Sequence, residues 1–306
     1  MFIVNPDAYS LPYHRIGPFK TDDITINHYL PRNDFAVSYF NEKFGEGNWH
    51  YTYNGREAIK MALKSYNLDK NDVVTILTTS GNLYISSCVT DTVERFCRWN
   101  REIVPETTII FVNHEFGYPY PEMEKLTQTG LPIIEDCCTT FFSQDKNKRI
   151  GKYGDFSLYS FAKFFPIQIG GLIVSNRQKK AEKSGELDLM QTHYIEDVVS
   201  NSLLSLNELL EKKKSNFDYA VTVFEKLGFT LRFPKADTVV PSVLLLKNNG
   251  IVKDLSGLKV FLTNHGIQNS VFYGEDAFFI PNHQSLNTTE IDYFGFLFSF
   301  FIQNKK

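Results

Sequence analysis

The run Pro132–Ser175 constrains this chain more than any other stretch. It begins PIIEDCCTTFFSQ and continues through IGKYGDFSLYSFAKFFPIQIGGLIVS. An apolar segment, residues 132–134, ends in the acidic pair Glu135–Asp136. A second, Phe156–Phe161, contains Ser160 and is followed at once by Lys163. A third, Ile167–Val174, carries Gly170–Gly171. In an α/β sheet, side chains at the carboxyl ends of strands can face a ligand while the backbone stays paired. One carboxylate, one hydroxyl and one lysine thus follow strand-like segments within a single unit. Side chains alternate along a strand, so Glu135 points away from Asp136 and supports the surrounding backbone.

These residue types suit pyridoxal phosphate (PLP). A lysine can form a Schiff base with its aldehyde and then move a substrate proton, which requires a neutral amine. A carboxylate beside the pyridine nitrogen keeps that nitrogen protonated, and a serine near the lysine can bond the phosphate. The spacing S-x-x-K alone also serves serine acyl enzymes. Asp136 upstream and the glycines downstream favour the cofactor.

Further candidates come from two strand-to-helix turns. Asn54–Gly55 precedes REAIKMALKSYNL, whose Ile59, Ala62, Leu63 and Tyr66 form a helical face. Asn54 caps that helix, Gly55 leaves its amide accessible, and Arg56 adds a cation where free N–H groups favour phosphate. The strand over residues 73–77 leads into TTSGN, where the amides around Ser80 and Gly81 form a second possible cradle.

At these residues the chain resembles the DegT/DnrJ/EryC1/StrS aminotransferases, a PLP-dependent family of fold type I. The likeness lies in IIEDCC, GKYGDFSLYSF, Lys163 and Gly170–Gly171, and upstream in NGREAIKMAL, DVVTILTTSG and IIFVNHEFGYPY. It covers roughly residues 50–176, in a divergent and short form. The resemblance implies an α/β fold with a mostly parallel central sheet in a large cofactor domain, residues 1–185, and a smaller C-terminal α/β domain, 186–306. It implies Lys163 as the cofactor lysine, Asp136 as the partner of the ring nitrogen, and the double glycine passing behind the cofactor.

The family's ring-stacking aromatic falls near Asn82, which leaves Tyr84 as the nearest ring. Thr139 stands where a glutamine often approaches the cofactor, and Ile169 where an acidic residue often precedes the glycines. Serine and lysine are three apart here, against a commoner five. His114, at the end of the strand 107–114, is a substrate candidate, as are Tyr273 and His283; Arg232 and His265 are further pocket candidates. The implied reaction moves an amino group from a donor such as glutamate to a keto sugar linked to a nucleotide. A PLP-dependent sugar dehydratase and a non-catalytic binding or structural protein are the alternatives. A homodimer is expected for either class.

Composition narrows the rest. The chain has 306 residues, 42% hydrophobic and 22% charged, which suits a folded globular protein. A formal charge of −3 offers nothing to concentrate a phosphate backbone, so nucleic acid is not an expected partner. The run Lys212–Lys214 reads as a solvated helix face, and 27 Phe with 16 Tyr as a ring-rich core or subunit contact. His114, Glu115 and a nearby cysteine match no zinc signature, so no metal is expected. The four cysteines show no disulfide pattern. MFIVNPDAYSLPYH lacks a signal-peptide pattern, and no apolar run reaches spanning length. The reading is a cytoplasmic protein. The first 30 residues read as irregular, with prolines at 6, 12 and 18. The amphipathic pattern from Tyr194 to Phe224 reads as one or two helices separated at Glu211–Lys214.

Overall fold

A computed structural model describes residues 13–181, 185 and 187–304. The readings for Pro6, Pro12, the signal-peptide stretch and part of the polar connection after Asn176 lie outside these residues.

Seven strands form the larger sheet: β1 (Trp49–Thr52), β2 (Val73–Thr78), β3 (Arg98–Asn100), β4 (Thr107–Asn113), β5 (Ile133–Asp136), β6 (Phe156–Ser160) and β7 (Gly171–Ser175). Their order is β1-β7-β6-β5-β4-β2-β3. From β6 to β3 all neighbours are parallel; β7 runs antiparallel to both β6 and β1. Strands buried on both faces read as continuous apolar runs, as TTIIFVN does in β4. Alternation then sends Ile109 and Phe111 to one face, and Ile110 and Val112 to the other.

Helices cover both faces. Against the first pack α3 (Gly55–Lys64) and α4 (Ser87–Val93). Against the second pack α2 (Phe35–Phe44), α5 (Met123–Thr127) and α6 (Leu189–Leu204), while α1 (Asp23–His28) lies beside α6. Because Ile195, Val198, Val199 and Leu203 of α6 belong to this core, we propose that the smaller unit begins after α6 rather than at residue 186.

That unit starts with α7 (Leu206–Glu225) and holds a four-stranded antiparallel sheet of β8 (Thr230–Leu231), β9 (Val243–Lys247), β10 (Ser270–Val271) and β11 (Ala277–Pro281). One face, with Leu244, Leu246 and Phe278, packs on α7, α8 (Leu255–Asn264) and α9 (Thr288–Asn304). The other, with Val243, Leu245 and Phe279, meets Tyr118, Phe116 and Tyr84 of the larger unit. The smaller sheet therefore closes over the rim where β4, β5 and β6 end.

Two expectations for the helical region fail. The break falls at Ser205, between α6 and α7, and not at Glu211–Lys214. Lys213 is not on a solvated face: it is 2% exposed, and its Nζ donates to the Asn282 carbonyl at 2.6 Å. Among 212–214 only the two flanking lysines face solvent, because 213 falls on the same side of α7 as Asn216, Phe217 and Ala220. The N-terminal stretch, read as irregular, contains α1.

Candidate active site

A cavity of about 530 Å³ opens at the carboxyl ends of β5 and β6, beneath the second sheet. Its size is typical of small-molecule sites. Asn54, Gly55, Arg56, Asp136, Ser160 and Lys163 all line it.

The floor is the start of α3. The Asn54 side chain accepts the Glu57 amide at 3.0 Å, which leaves the first-turn amides of Gly55 and Arg56 at the cavity end of the helix. A Cβ on residue 55 would come within 2.8 Å of Cys138 Sγ and 3.5 Å of Ser160 Cβ. Glycine thus keeps the space beside Ser160 open at a helix start, the kind of place where free amides can meet an anion. Arg56 is exposed at its edge.

Asp136 occupies the last position of β5. One oxygen accepts the Cys138 amide at 3.0 Å and the other the Asn113 side-chain amide at 3.3 Å. Burial pushes its carboxyl up, offset in part by the Cys138 hydrogen bonds and by the Lys163 charge. A protonated ring nitrogen placed against it would favour the charged form. Lys163 ends a 3₁₀ turn, Phe161–Lys163, that leaves β6 directly; the buried Phe161 ring stacks on Phe40 and fixes that turn. Parallel pairing of β5 with β6 places both ends on one rim.

Other expected site residues are arranged differently. Thr139 lines the cavity, but its hydroxyl donates to the His114 carbonyl at 2.8 Å and accepts the Gly117 amide. Tyr84 also lines it, with its ring held 5.6–5.8 Å from Phe116, Phe272 and Phe279 as part of an aromatic wall. Ser80 and Gly81 do not line it: the Ser80 amide donates to Glu115, and Gly81 serves the turn closed onto Thr78. Gly170–Gly171 are not in the cavity lining either, though Gly171 packs behind Asn54, which is. A Cβ at 171 would meet the Tyr159 carbonyl at 2.3 Å, and one at 170 would meet Phe161, so these glycines permit close packing at the start of β7.

His114, Tyr273 and His283 lie away from the cavity lining. His114 is buried; it accepts the Tyr120 amide at Nδ1 and donates from Nε2 to Glu135. Tyr273 is half-exposed and accepts from Lys259, while His283 donates to the Arg15 carbonyl at 3.1 Å. Arg232 is paired with Glu275, and His265 donates to the Phe261 carbonyl.

Glu135 does support the backbone: its carboxylate accepts the amides of Gly151, Tyr153 and Gly154. His114, Glu135 and Cys137 bring ligand atoms within 4.8 Å of one another. Those bonds already occupy both histidine nitrogens and the carboxylate, and burial pushes the Cys137 thiol well up. The cluster is a structural network. Glu135→Gln puts an amide NH₂ where an acceptor is needed, and urea unfolding should show a loss of about 1–3 kcal/mol.

Sequence reasoning missed Asn113, Cys138 and Glu115, and the cavity wall from Gln268 to Ser270. Asn113 had a signal, since it pairs in register with Asp136 at the same strand-end level.

Comparisons with known proteins bear on the fold and the family likeness. Residues 98–197 match the DegT/DnrJ/EryC1/StrS aminotransferase family. The chain is 29% identical over 167 residues to GDP-perosamine synthase of Escherichia coli O157:H7, covering 46% of this chain and 44% of that relative, less than half its length. Among solved structures it is similar to an aminotransferase TlmJ from Streptoalloteichus hindustanus, with TM-score 0.69 and 15% identity over 90% of this chain and 93% of that one. It is also similar to a GDP-4-keto-6-deoxymannose-3-dehydratase variant with bound GDP-perosamine, with TM-score 0.64 and 14% identity over 90% and 95%. The α/β fold is thus that of fold type I aminotransferases.

Proposed function

From the family match over residues 98–197, we propose that this chain is a PLP-dependent aminotransferase acting on a keto sugar linked to a nucleotide. The observation that carries it is the convergence of Asp136, Lys163, Ser160 and the α3 start on one cavity. Bound PLP supplies an aldehyde for an amine and a ring that holds the electrons left when a carbon loses its proton. Lys163 would anchor the cofactor, and its Nζ would move the proton at the substrate carbon. Asp136 would hold the ring nitrogen. The Gly55 and Arg56 amides, the Arg56 side chain and the Ser160 hydroxyl would hold the phosphate.

A sugar acceptor is supported by the GDP-perosamine synthase relative, and an amino-acid donor such as glutamate by the family likeness. A homodimer is supported by the exposed apolar side chains Ile24, Ile26 and Tyr29 on and beside α1, with Leu189 and Met190 opening α6. A cytoplasmic location rests on the free state of all four cysteines. Among the described residues no helix is long and apolar enough to cross a membrane.

Borohydride reduction of the PLP-loaded protein, followed by peptide mapping, tests the site. The expected result is one reduced pyridoxyl group on Lys163; labelling confined to other lysines would reject it.

A further inference from the structure

Glu115 lines the same cavity, yet neither Asp136 nor Lys163 needs it. Its backbone is pinned in a tight turn: the amide donates to Thr79 Oγ1 at 2.9 Å, and the carbonyl accepts the Tyr118 amide at 2.8 Å. The next residue, Phe116, sits at φ 54°, ψ 25°, a left-handed conformation that a bulky side chain adopts only under constraint. The constraint is visible. The Phe116 carbonyl accepts the Ser242 amide at 2.8 Å, and Gly117 passes so near Val240 that a Cβ would lie 2.4 Å from its carbonyl oxygen. Strain of this kind collects where a side chain must be aimed.

The aimed group is a carboxylate with one half unused. Oε2 accepts the Ser80 amide, whereas Oε1 has no hydrogen-bond partner in a residue only 4% exposed. An unpartnered buried acceptor is costly unless something bound supplies the donor. We propose that Glu115 determines ligand specificity, its Oε1 accepting a hydrogen bond from a hydroxyl or ammonium group of the sugar moiety. This rests on the proposed sugar reading and gives that ligand one named polar contact.

The charge state supports the role. Burial pushes the Glu115 carboxyl up to about 6, with the Ser80 hydroxyl and amide hydrogen bonds and Arg232 opposing and Glu275 adding to the rise. Tyr84, also near, is itself held protonated by burial, up to about 12. Glu115 is therefore mainly an anionic acceptor at pH 7.5 and loses that capacity as the pH falls below about 6.

The test is calorimetric binding of GDP-perosamine to the PLP-loaded protein at pH 7.5 and 5.5. Glu115→Gln should weaken binding about 10-fold or more at pH 7.5 and remove most of the loss that the wild type shows at pH 5.5. Glu115→Asp keeps the charge but withdraws it by one methylene; it should bind weakly while retaining the pH dependence, and it decides the matter alone should the glutamine variant fail to fold. Equal affinity of wild type and variants, including no binding by any of them, overturns the inference. Failure of the broader reading shows separately, as absence of reduced pyridoxyl on Lys163.

Discussion

Lys163→Ala is expected to abolish covalent capture of PLP and to slow amino transfer by about 10²–10⁴-fold, the range for removing a positioned acid–base group. The cavity should otherwise persist. Phe161 anchors the turn from inside the core, and the α3 start, Ser160 and Asp136 do not depend on the lysine side chain. Lys163→Arg should be equally inactive, because a guanidinium stays protonated and cannot attack a carbonyl. Single-turnover absorbance with L-glutamate, with urea unfolding as a control for folding, checks both. A folded alanine variant retaining a tenth or more of the wild-type rate would remove Lys163 from the chemistry.

Stability should rise with pH across about 7 to 10.5, and Lys213 is the main reason, with Lys43, lowered by burial to about 8, adding to the rise above that pH. Burial alone lowers the Lys213 amine from 10.5 to about 7. Within that window the unfolded chain holds a proton that the folded chain has released, so raising the pH favours folding. Below about 7 the full deficit is present, on the order of 5 kcal/mol. His283 beside it is lowered to about 3 by burial and by the Lys213 charge. It stays neutral when folded through most of the acid range, and the stability linked to that neutral form is lost as the pH falls from about 6.5 towards 3. Lys213→Met should remove the rise between about pH 7 and 8, lessen the slope left by Lys43 above it, and stabilise the protein at pH 6, less about 1–3 kcal/mol for the orphaned Asn282 carbonyl. Urea unfolding at pH 6, 7.5 and 9 measures this; a wild-type profile flat over that range would contradict it.

The contrast between Lys163 and Lys213 shows what local sequence can carry. The place of Lys163 on the cavity was legible because apolar strands bracket it and a strand-end acid precedes it, a pattern that parallel pairing turns into a shared rim. Asn54 was legible for the same reason, since a cap and the helix it starts are neighbours in the chain. Lys213 was misread because EKKK looks solvated in composition, and only the packing of α7 under Asn282 shows which lysine turns inward. Glu115 and the segment Gln268–Ser270 meet across the cavity from distant parts of the chain, and no periodicity encodes that meeting. Tyr84 was found as a ring, but its partners Phe279 and Phe272 come from β11 and the turn before it. The boundary near residue 185 followed a polar stretch, whereas α6 beyond it completes the first core.

The strap before α1 has a consequence for synthesis. His14 bridges to Ile267, and the Ile16 amide donates to Gln268, 252 positions later in the chain. Gly17 lies so near Ala162, one residue before Lys163, that a Cβ there would sit 2.1 Å from its carbonyl oxygen. At roughly 5–20 residues per second, translation separates these partners by tens of seconds. The strap therefore waits for partners made about 250 residues later, and a nascent chain stalled short of Ile267 leaves it without that anchor.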